Sequence, residues 1–401
     1  MLLISCLLFL EKLMTLKLRP AVLQDAPVLT DILHRSKASW GYPADKMAEF
    51  RKHWHVSENK IASMTVLVAE KADVPCAFLS ATPKDGETLL VDDLFVDPSV
   101  QRQGNGALLL ARAEDIARSH RLTRLYLESD LHAEGFYQAH GFKTFSHKPS
   151  EMVLGKELPL MEKQLPPSVH ALHSFDVKVD REQSWDFETL NAAAIDRHWK
   201  KVMSAKNQLW NGRNLMLVEH QFENGALTGT CRETSFSSFL AWRDWGAVDI
   251  TSHNLIGSAV LVSADGALLY GVMSGHTANA GKIYPPGGNV DPDDVRSDGS
   301  VDLKAAIYRE LLEETGLQRN DVNEGALLIA FDGPRISVAQ IFEVPLEAEP
   351  LSQKIMQHSL GSEEQELSGV RIIREKADLH DPMIVSYARE IGMHWFDQRA
   401  D

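Results

Sequence analysis

Cysteine is scarce in this 401-residue chain: Cys6, Cys76 and Cys231 stand far apart, which excludes a disulfide framework and a close-spaced zinc pattern of thiols. Positive charge is short as well. Lys and Arg number 41 against 56 Asp and Glu, a formal net charge of -15, which argues against gathering nucleic-acid phosphate or an anionic bilayer. Neither nucleic acid nor a membrane is expected as a partner. The opening apolar run, MLLISCLLFLEKLM, is too short to span a bilayer and lacks a basic leading segment and a small-residue cleavage site. Residues 1–14 therefore read as an extension, from an upstream start codon or a disordered leader, ahead of a domain that starts at Thr15. Repeats and low-complexity tracts are missing too. A reducing cytoplasmic setting fits these absences.

The length exceeds what one hydrophobic core usually fills, so two domains are expected. With 44% hydrophobic and 24% charged residues, each has the material for a core. The stretch LPLMEKQLPPS, residues 158–168, carries paired prolines that disfavour a continuing helix and reads as the linker. Before it, over 15–157, apolar runs such as TVLVAE and LLVDDLFV alternate with the helical GALLLARAEDIARSH, the pattern of an α/β domain. After it, over 169–401, come a helix over 190–205, hairpins turning at Asn224-Gly225 and Asp265-Gly266, a glutamate-rich helix, and strands over 326–331 and 336–344. That half reads as α+β.

Within the first half, LLVDDLFV runs into the glycine loop QRQGNG and then into an amphipathic helix. Backbone amides at such a helix start can hold a pyrophosphate where glycine lets it approach; the plainer alternative is a tight connection. Downstream stands LYLESDLHAEGFYQAHGF. The order of strand, QxxGxG loop, helix, strand and AxxFYxxxGF resembles the GCN5-related N-acetyltransferases (GNAT) over residues 15–155. The resemblance implies acetyl-CoA as cofactor, with Gln101, Arg102, Gly104 and Gly106 at its pyrophosphate and Leu94, Phe95 and Val96 along its pantetheine arm. It places Tyr137 near the sulfur as general acid, the alternative being a packed aromatic. Asp130 stands where the family often has asparagine. The implied acceptor is a small-molecule amine, a protein N-terminus or a lysine.

An amine must lose a proton before it attacks, so a nearby carboxylate helps. Asp92 and Asp93 are the candidates, and strand alternation predicts that at most one reaches the acceptor; the alternative is a pair of solvated strand-end charges. Trp40 and Tyr42 of SWGYP are candidates for the acceptor-pocket wall or for core packing, and the acceptor is expected to be decided by loops and the region 40–54.

In the second half, YRELLEETGL sets Glu310, Glu313 and Glu314 on one helix face, about 5–6 Å apart at Cβ, where like charges repel. No lysine follows one turn on to relieve them. A hard divalent cation would relieve them; otherwise they form a solvated helix face. With the upstream IYPPGGNVDPDD, the run resembles the Nudix box Gx5Ex7REUxEExGU. This resemblance implies an α/β/α sandwich, Mg²⁺ or Mn²⁺ on Glu310, Glu313 and Glu314, structural or positioning roles for Gly287, Gly288 and Arg309, and hydrolysis of a nucleoside diphosphate linked to another group.

The first half of the box departs from the pattern. Gly288 and Arg309 are 21 positions apart where the pattern has 14, so VRSDGSV at 295–301 reads as an insertion, and the early glutamate slot falls to Asp294 or Asp302. In GSEEQEL, Glu363, Glu364 and Glu366 are candidates for a late ligand or base, with Glu366 joining Glu313 and Glu314 as the catalytic set; a plain acidic turn is the alternative. The segment LWNGRN to WRDWG is similar to the UDP-sugar diphosphatase branch. Its Phe236, Phe239, Trp242 and Trp245 read as a buried helix face ahead of a stacking surface for a base. The expectation is a bifunctional enzyme. Its rivals are a transferase regulated by a nucleotide-binding module, and a hydrolase joined to an inactive transferase scaffold.

Overall fold

The computed structural model describes residues 16–120, 122–150, 156–165, 168–205, 210–277, 279–362 and 365–399, so the extension 1–14 lies outside the described residues. Those described fall into two units. The first takes in the chain up to residue 165 together with Leu190–His198 and Leu240–Ile250; the second takes in the rest. Among the described residues no helix is long and apolar enough to cross a membrane.

In the first unit, β1 (Leu16–Pro20), β2 (Thr65–Lys71), β3 (Val74–Pro83), β4 (Thr88–Val96), β5 (Arg124–Glu128), β6 (Lys143–Pro149) and β7 (Glu157–Gln164) form one sheet in the order β1-β2-β3-β4-β5-β7-β6. Its central strands are apolar on both sides, and helices cover both. On α1 (Ala26–Ala38), Leu29, Ile32 and Leu33 recur at helical spacing and pack with Val68 and Phe78; α2 (Ala44–His53) and α3 (Glu58–Ser63) add Phe50 and Ile61 to the same core. On α4 (Asn105–Ser119), Leu109, Leu110, Ala113 and Ala117 pack with Leu79, Leu89 and Leu125, joined by Tyr137 of the short α5 (Glu134–Ala139).

Most of the stretch expected as a linker is β7. It pairs with β5 and β6, and alternation buries Met161 completely. Pro159 sits within this strand, and the linker reading rested on the paired prolines that follow it. Pro166 and Pro167 lie outside the described residues.

The second unit is built on a mixed sheet. Its strands are β8 (Val169–Ala171), β9 (Ser174–Asp180), β10 (Arg213–Glu223), β11 (Ala226–Ser235), β12 (His253–Val262), β13 (Leu268–Met273), β14 (Ile283–Tyr284), β15 (Gly287–Asn289), β16 (Asn323–Asp332), β17 (Arg335–Glu343) and β18 (Leu367–Ile373). The two expected hairpins are present: β10 pairs with β11 across Asn224-Gly225, and β12 with β13 across Asp265-Gly266. Strand β12 is the hub, parallel to β17 and antiparallel to β15. Helix α6 (Asp186–Ala205) precedes β10 and α7 (Phe236–Asp244) follows β11; both are shared between the units, since Leu190–His198 and Leu240–Ile250 group with the first. Of the four aromatics expected on one buried helix face, Phe239, Trp242 and Trp245 are buried but Phe236 is only half-buried, and Trp245 stands just past the end of α7, within the segment that joins the first unit.

The glutamates ride on α8 (Leu303–Thr315), whose Leu303, Ala306, Ile307 and Leu311 join the core. Residues 295–301, read in the sequence as an insertion, form a side excursion. Val295 and Val301 bridge, and the Asp302 amide donates to the Asp294 carbonyl at 2.6 Å, so the chain re-enters α8 from where it left. Helices α9 (Ala348–Gly361) and α10 (Ser386–Gln398) complete the unit.

Candidate functional site

Strands β4 and β5 run parallel and pair only over 88–90 with 124–126, although β4 continues to Val96. Beyond Leu90 the two part, and Leu94, Phe95 and Val96 stand half-buried along the unpaired stretch. The loop that follows is set by its backbone. Gln101 Nε2 donates to the Val96 carbonyl at 3.1 Å, and Asn105 Nδ2 to the Val100 carbonyl at 2.8 Å. Arg102 (φ 59°) and Gly104 (φ 84°) are both left-handed, which turns the chain sharply into α4. A Cβ on Gly106 would lie 3.1 Å from the Phe136 ring, so glycine keeps the first helical turn close to α5. The unpaired amides and positive dipole end of this 15-residue helix make the junction suited to a phosphate. Nearby, Tyr137 is buried between Phe136 and Phe142 at ring distances of 5.1 and 5.6 Å. Burial, helped by the charges of Asp93 and Asp130, pushes its phenol well above the ordinary range, so it keeps its proton.

A cavity of about 460 Å³ opens beside Asp92 and Asp93. The β3–β4 register slips here: Ser80 faces Asp93 and Ala81 faces Val91, leaving Asp92 in a bulge. The expected alternation is therefore broken. Both carboxylates meet the Lys60 ammonium of α3, Asp92 Oδ2 at 2.6 Å and Asp93 through its own Oδ2, and the Ser80 hydroxyl donates to Asp93 at 2.7 Å. Burial raises the proton affinity of Asp93, while Lys60 and Ser80 oppose it.

Asp130 anchors a second cluster in the same cavity. Lys37 forms an ion pair with it, the Tyr42 hydroxyl donates at 2.7 Å, and His132 Nδ1 lies 2.8 Å from its other oxygen. The Lys37 ammonium sits over the rings of Trp40, Tyr42 and Phe50 at 4.9, 5.2 and 5.5 Å. Burial raises the Asp130 pKa, but Lys37 and these hydrogen bonds prevail and hold the carboxyl below the usual range. Tyr42 lines the cavity and Trp40 stacks on His132 at 5.8 Å. At the rim, Lys148 pairs with Glu128, and the Lys84 ammonium lies 3.5 Å over Tyr126. Lys37, Lys60 and Lys84 gave no signal in the sequence, because each reaches the site from a segment remote from the glycine loop.

The second unit gathers carboxylates. Gly287 N–H donates to Glu314 Oε1 at 2.7 Å, while Glu314 Oε2 is buried without a partner. A Cβ on Gly287 would lie 2.3 Å from the Gly257 carbonyl, so close backbone approach requires glycine there, while a Cβ on Gly288 would lie 2.4 Å from Glu310 Oε1 and would push that carboxylate aside. Arg309 donates to Glu310 at 2.8 Å, to Glu313 at 3.2 Å and to both oxygens of Asp294 at 3.2 Å. Asp294 thus belongs to the cluster. Asp302 instead caps α8 and pairs with Arg296 at 2.8 Å.

Burial first, then the charges of Glu313 and Glu366 against the pull of Arg309, pushes Glu310 up to about 7. Burial and the charges of Glu310, Glu366 and Glu313 raise Glu314 well above its ordinary value. Glu366, just ahead of β18, therefore falls within electrostatic reach of both, whereas Glu313 is half exposed and turned to Arg309. Glu363 and Glu364 lie outside the described residues. Among the described residues no three His, Cys, Asp or Glu side chains stand as a ready metal cage. The donor set nevertheless fits a hard divalent cation: oxygens only, an excess of negative charge, and one buried carboxylate oxygen with nothing to bind.

Residues 29–142 match the model of the Acetyltransferase (GNAT) family, so the first unit carries a GNAT acetyltransferase domain. The match does not extend into the second unit. Similar solved structures include the PaiA N-acetyltransferase of Thermoplasma acidophilum in complex with coenzyme A, 18% identical with a TM-score of 0.33, covering 38% of this chain and 99% of that one. Another is the ribosomal-protein-S18-alanine N-acetyltransferase of Escherichia coli, 21% identical with a TM-score of 0.30, covering 38% of this chain and 94% of that one. A GCN5-related N-acetyltransferase of Rhodopseudomonas palustris is 22% identical with a TM-score of 0.32, covering 38% and 98%. No curated protein matches the chain.

Proposed function

We propose that the chain is a bifunctional enzyme: an acetyl-CoA-dependent N-acetyltransferase in the first unit, and in the second a Nudix-type hydrolase, dependent on Mg²⁺ or Mn²⁺, of a nucleoside diphosphate linked to another group, such as a UDP-sugar. The observation that carries the first half is the parting of β4 and β5 directly ahead of a left-handed glycine loop and a helix start. In this reading residues 101–106 take the pyrophosphate of acetyl-CoA, and Leu94, Phe95 and Val96 flank its pantetheine arm. Asp92 or Asp93 accepts a proton from the acceptor ammonium, and the neutral amine attacks the thioester carbonyl. The C–N bond forms as the C–S bond breaks; Tyr137, which stays protonated in its buried setting, gives its proton to the leaving sulfur and takes up the one shed by the new amide nitrogen.

The second half rests on the buried, unpartnered Glu314 oxygen beside Glu310 and Glu366. A divalent cation held there would neutralise and polarise the diphosphate. Glu310 and Glu314 would hold it, Arg309 fixes Glu310, Glu313 and Asp294, and Glu366 is the residue assigned to take a proton from water. A substrate panel with product identification tests both halves. Glu314→Gln should lower Mg²⁺-dependent cleavage of the diphosphate to a nucleoside monophosphate by at least about a hundredfold, the order seen on removing one preorganised electrostatic contact, while acetyl transfer continues. The hold of Arg309 on Glu310 and Glu313 favours a second reading, in which the second unit binds a nucleotide without cleaving it. Nucleotide binding without cleavage of the diphosphate under either cation selects that reading.

A further inference from the structure

The acceptor cavity is electrically lopsided. Four lysines and four carboxylates line it, Lys37, Lys60, Lys84 and Lys148 against Asp92, Asp93, Glu128 and Asp130. Two of the lysines each hold one carboxylate. Lys60 alone faces both Asp92 and Asp93, which leaves one negative charge in excess at that end. Lys84 meets no carboxylate among the described residues; its ammonium rests on the Tyr126 ring. One cavity thus has a negative pole where the amine must lose its proton and a positive pole at its rim.

Building on the acetyltransferase reading, we infer that the acceptor is a zwitterion: an amine that also bears a carboxylate, with the ammonium at Asp92 and Asp93 and the carboxylate at Lys84. Leu90 lies opposite Tyr126, and the bulged Asp92 is two residues further along β4, roughly 7 Å at about 3.3 Å per residue. With a hydrogen bond of about 2.8 Å at each end, one small amino acid reaches both poles.

The test compares 5-aminopentanoate with pentylamine as acceptors for the full chain, by initial rates with acetyl-CoA and by calorimetry. The acid-bearing amine should have the higher kcat/KM. Lys84→Met should cut that preference about fivefold through KM, the size expected of a solvent-screened ion pair, and Lys84→Arg should restore it. Because Lys84 is exposed, neither change threatens the fold. Equal use of both amines, or a preference that survives Lys84→Met, overturns the inference while leaving acetyl transfer intact. If neither amine binds or reacts, the inference also falls. Acetyl-CoA titrated into the same sample then shows whether the transferase reading falls with it.

Discussion

Asp130 shows how much one side chain organises: its two oxygens engage Lys37, Tyr42 and His132, and the carboxylate is only 7% exposed. Asp130→Asn would leave the caged Lys37 ammonium without its counter-charge. Breaking a buried pair from one side costs about 3 kcal/mol, so the variant should be less stable than the parent by that order at neutral pH in denaturant titrations. The pH dependence has a definite sign. The folded carboxyl is held below its ordinary value of 3.8, so its contribution is fully present above that pH and is lost as pH falls through the lower folded value. The stability gap between parent and variant should therefore close in acid. A gap that stays constant to low pH would mean that Asp130 stabilises by shape and not by charge.

At the scale of elements, the bulge in β4 and the entry into α4 do the positioning. The bulge turns two neighbouring aspartates onto one lysine, an arrangement closed to a regular strand. At the helix entry, a Cβ on Gly106 already crowds Phe136, and valine adds two methyl groups to that contact. Gly106→Val should weaken acetyl-CoA binding by at least about tenfold, the cost of a displaced first turn losing about 1.4 kcal/mol of phosphate contact. The diphosphate cleavage proposed for the second unit should be untouched. Calorimetry with acetyl-CoA reads this directly, and unchanged affinity would remove the loop from the cofactor site.

For the whole molecule, the first unit is discontinuous in sequence. The Leu18 amide donates to the Trp245 carbonyl at 2.9 Å, Lys17 lies over the Trp245 ring, and a Cβ on Gly246 would strike Leu18 at 2.8 Å. A fragment of residues 16–165 loses these contacts and exposes the surface they cover. It should melt about 5–10 °C below the same unit in the intact chain, the shift expected for losing about 2–3 kcal/mol in a domain of this size. Scanning calorimetry of fragment and full chain decides it, and equal melting temperatures would show that residues 240–250 contribute no stability there.

Local chemistry carries far in this chain. The glycine loop, the helix behind it, the two glycine-turned hairpins and the crowded glutamates were all legible from the sequence, because each depends on residues within one or two turns of each other. What the sequence could not express is pairing across distance. Strand β7 hid in the stretch read as a linker from its paired prolines, since its place is decided by the partners on either side and not by its own pattern. The convergence of Asp92 and Asp93 needed a register slip against β3, and Lys37, Lys60 and Lys84 enter one cavity from three separate segments. The tertiary structure likewise chose Asp294 over Asp302 as the partner of Arg309, because an excursion of seven residues closes on itself and leaves Asp302 as a helix cap. Contacts between remote segments arise only when the core brings their elements together, and no spacing along the chain encodes them.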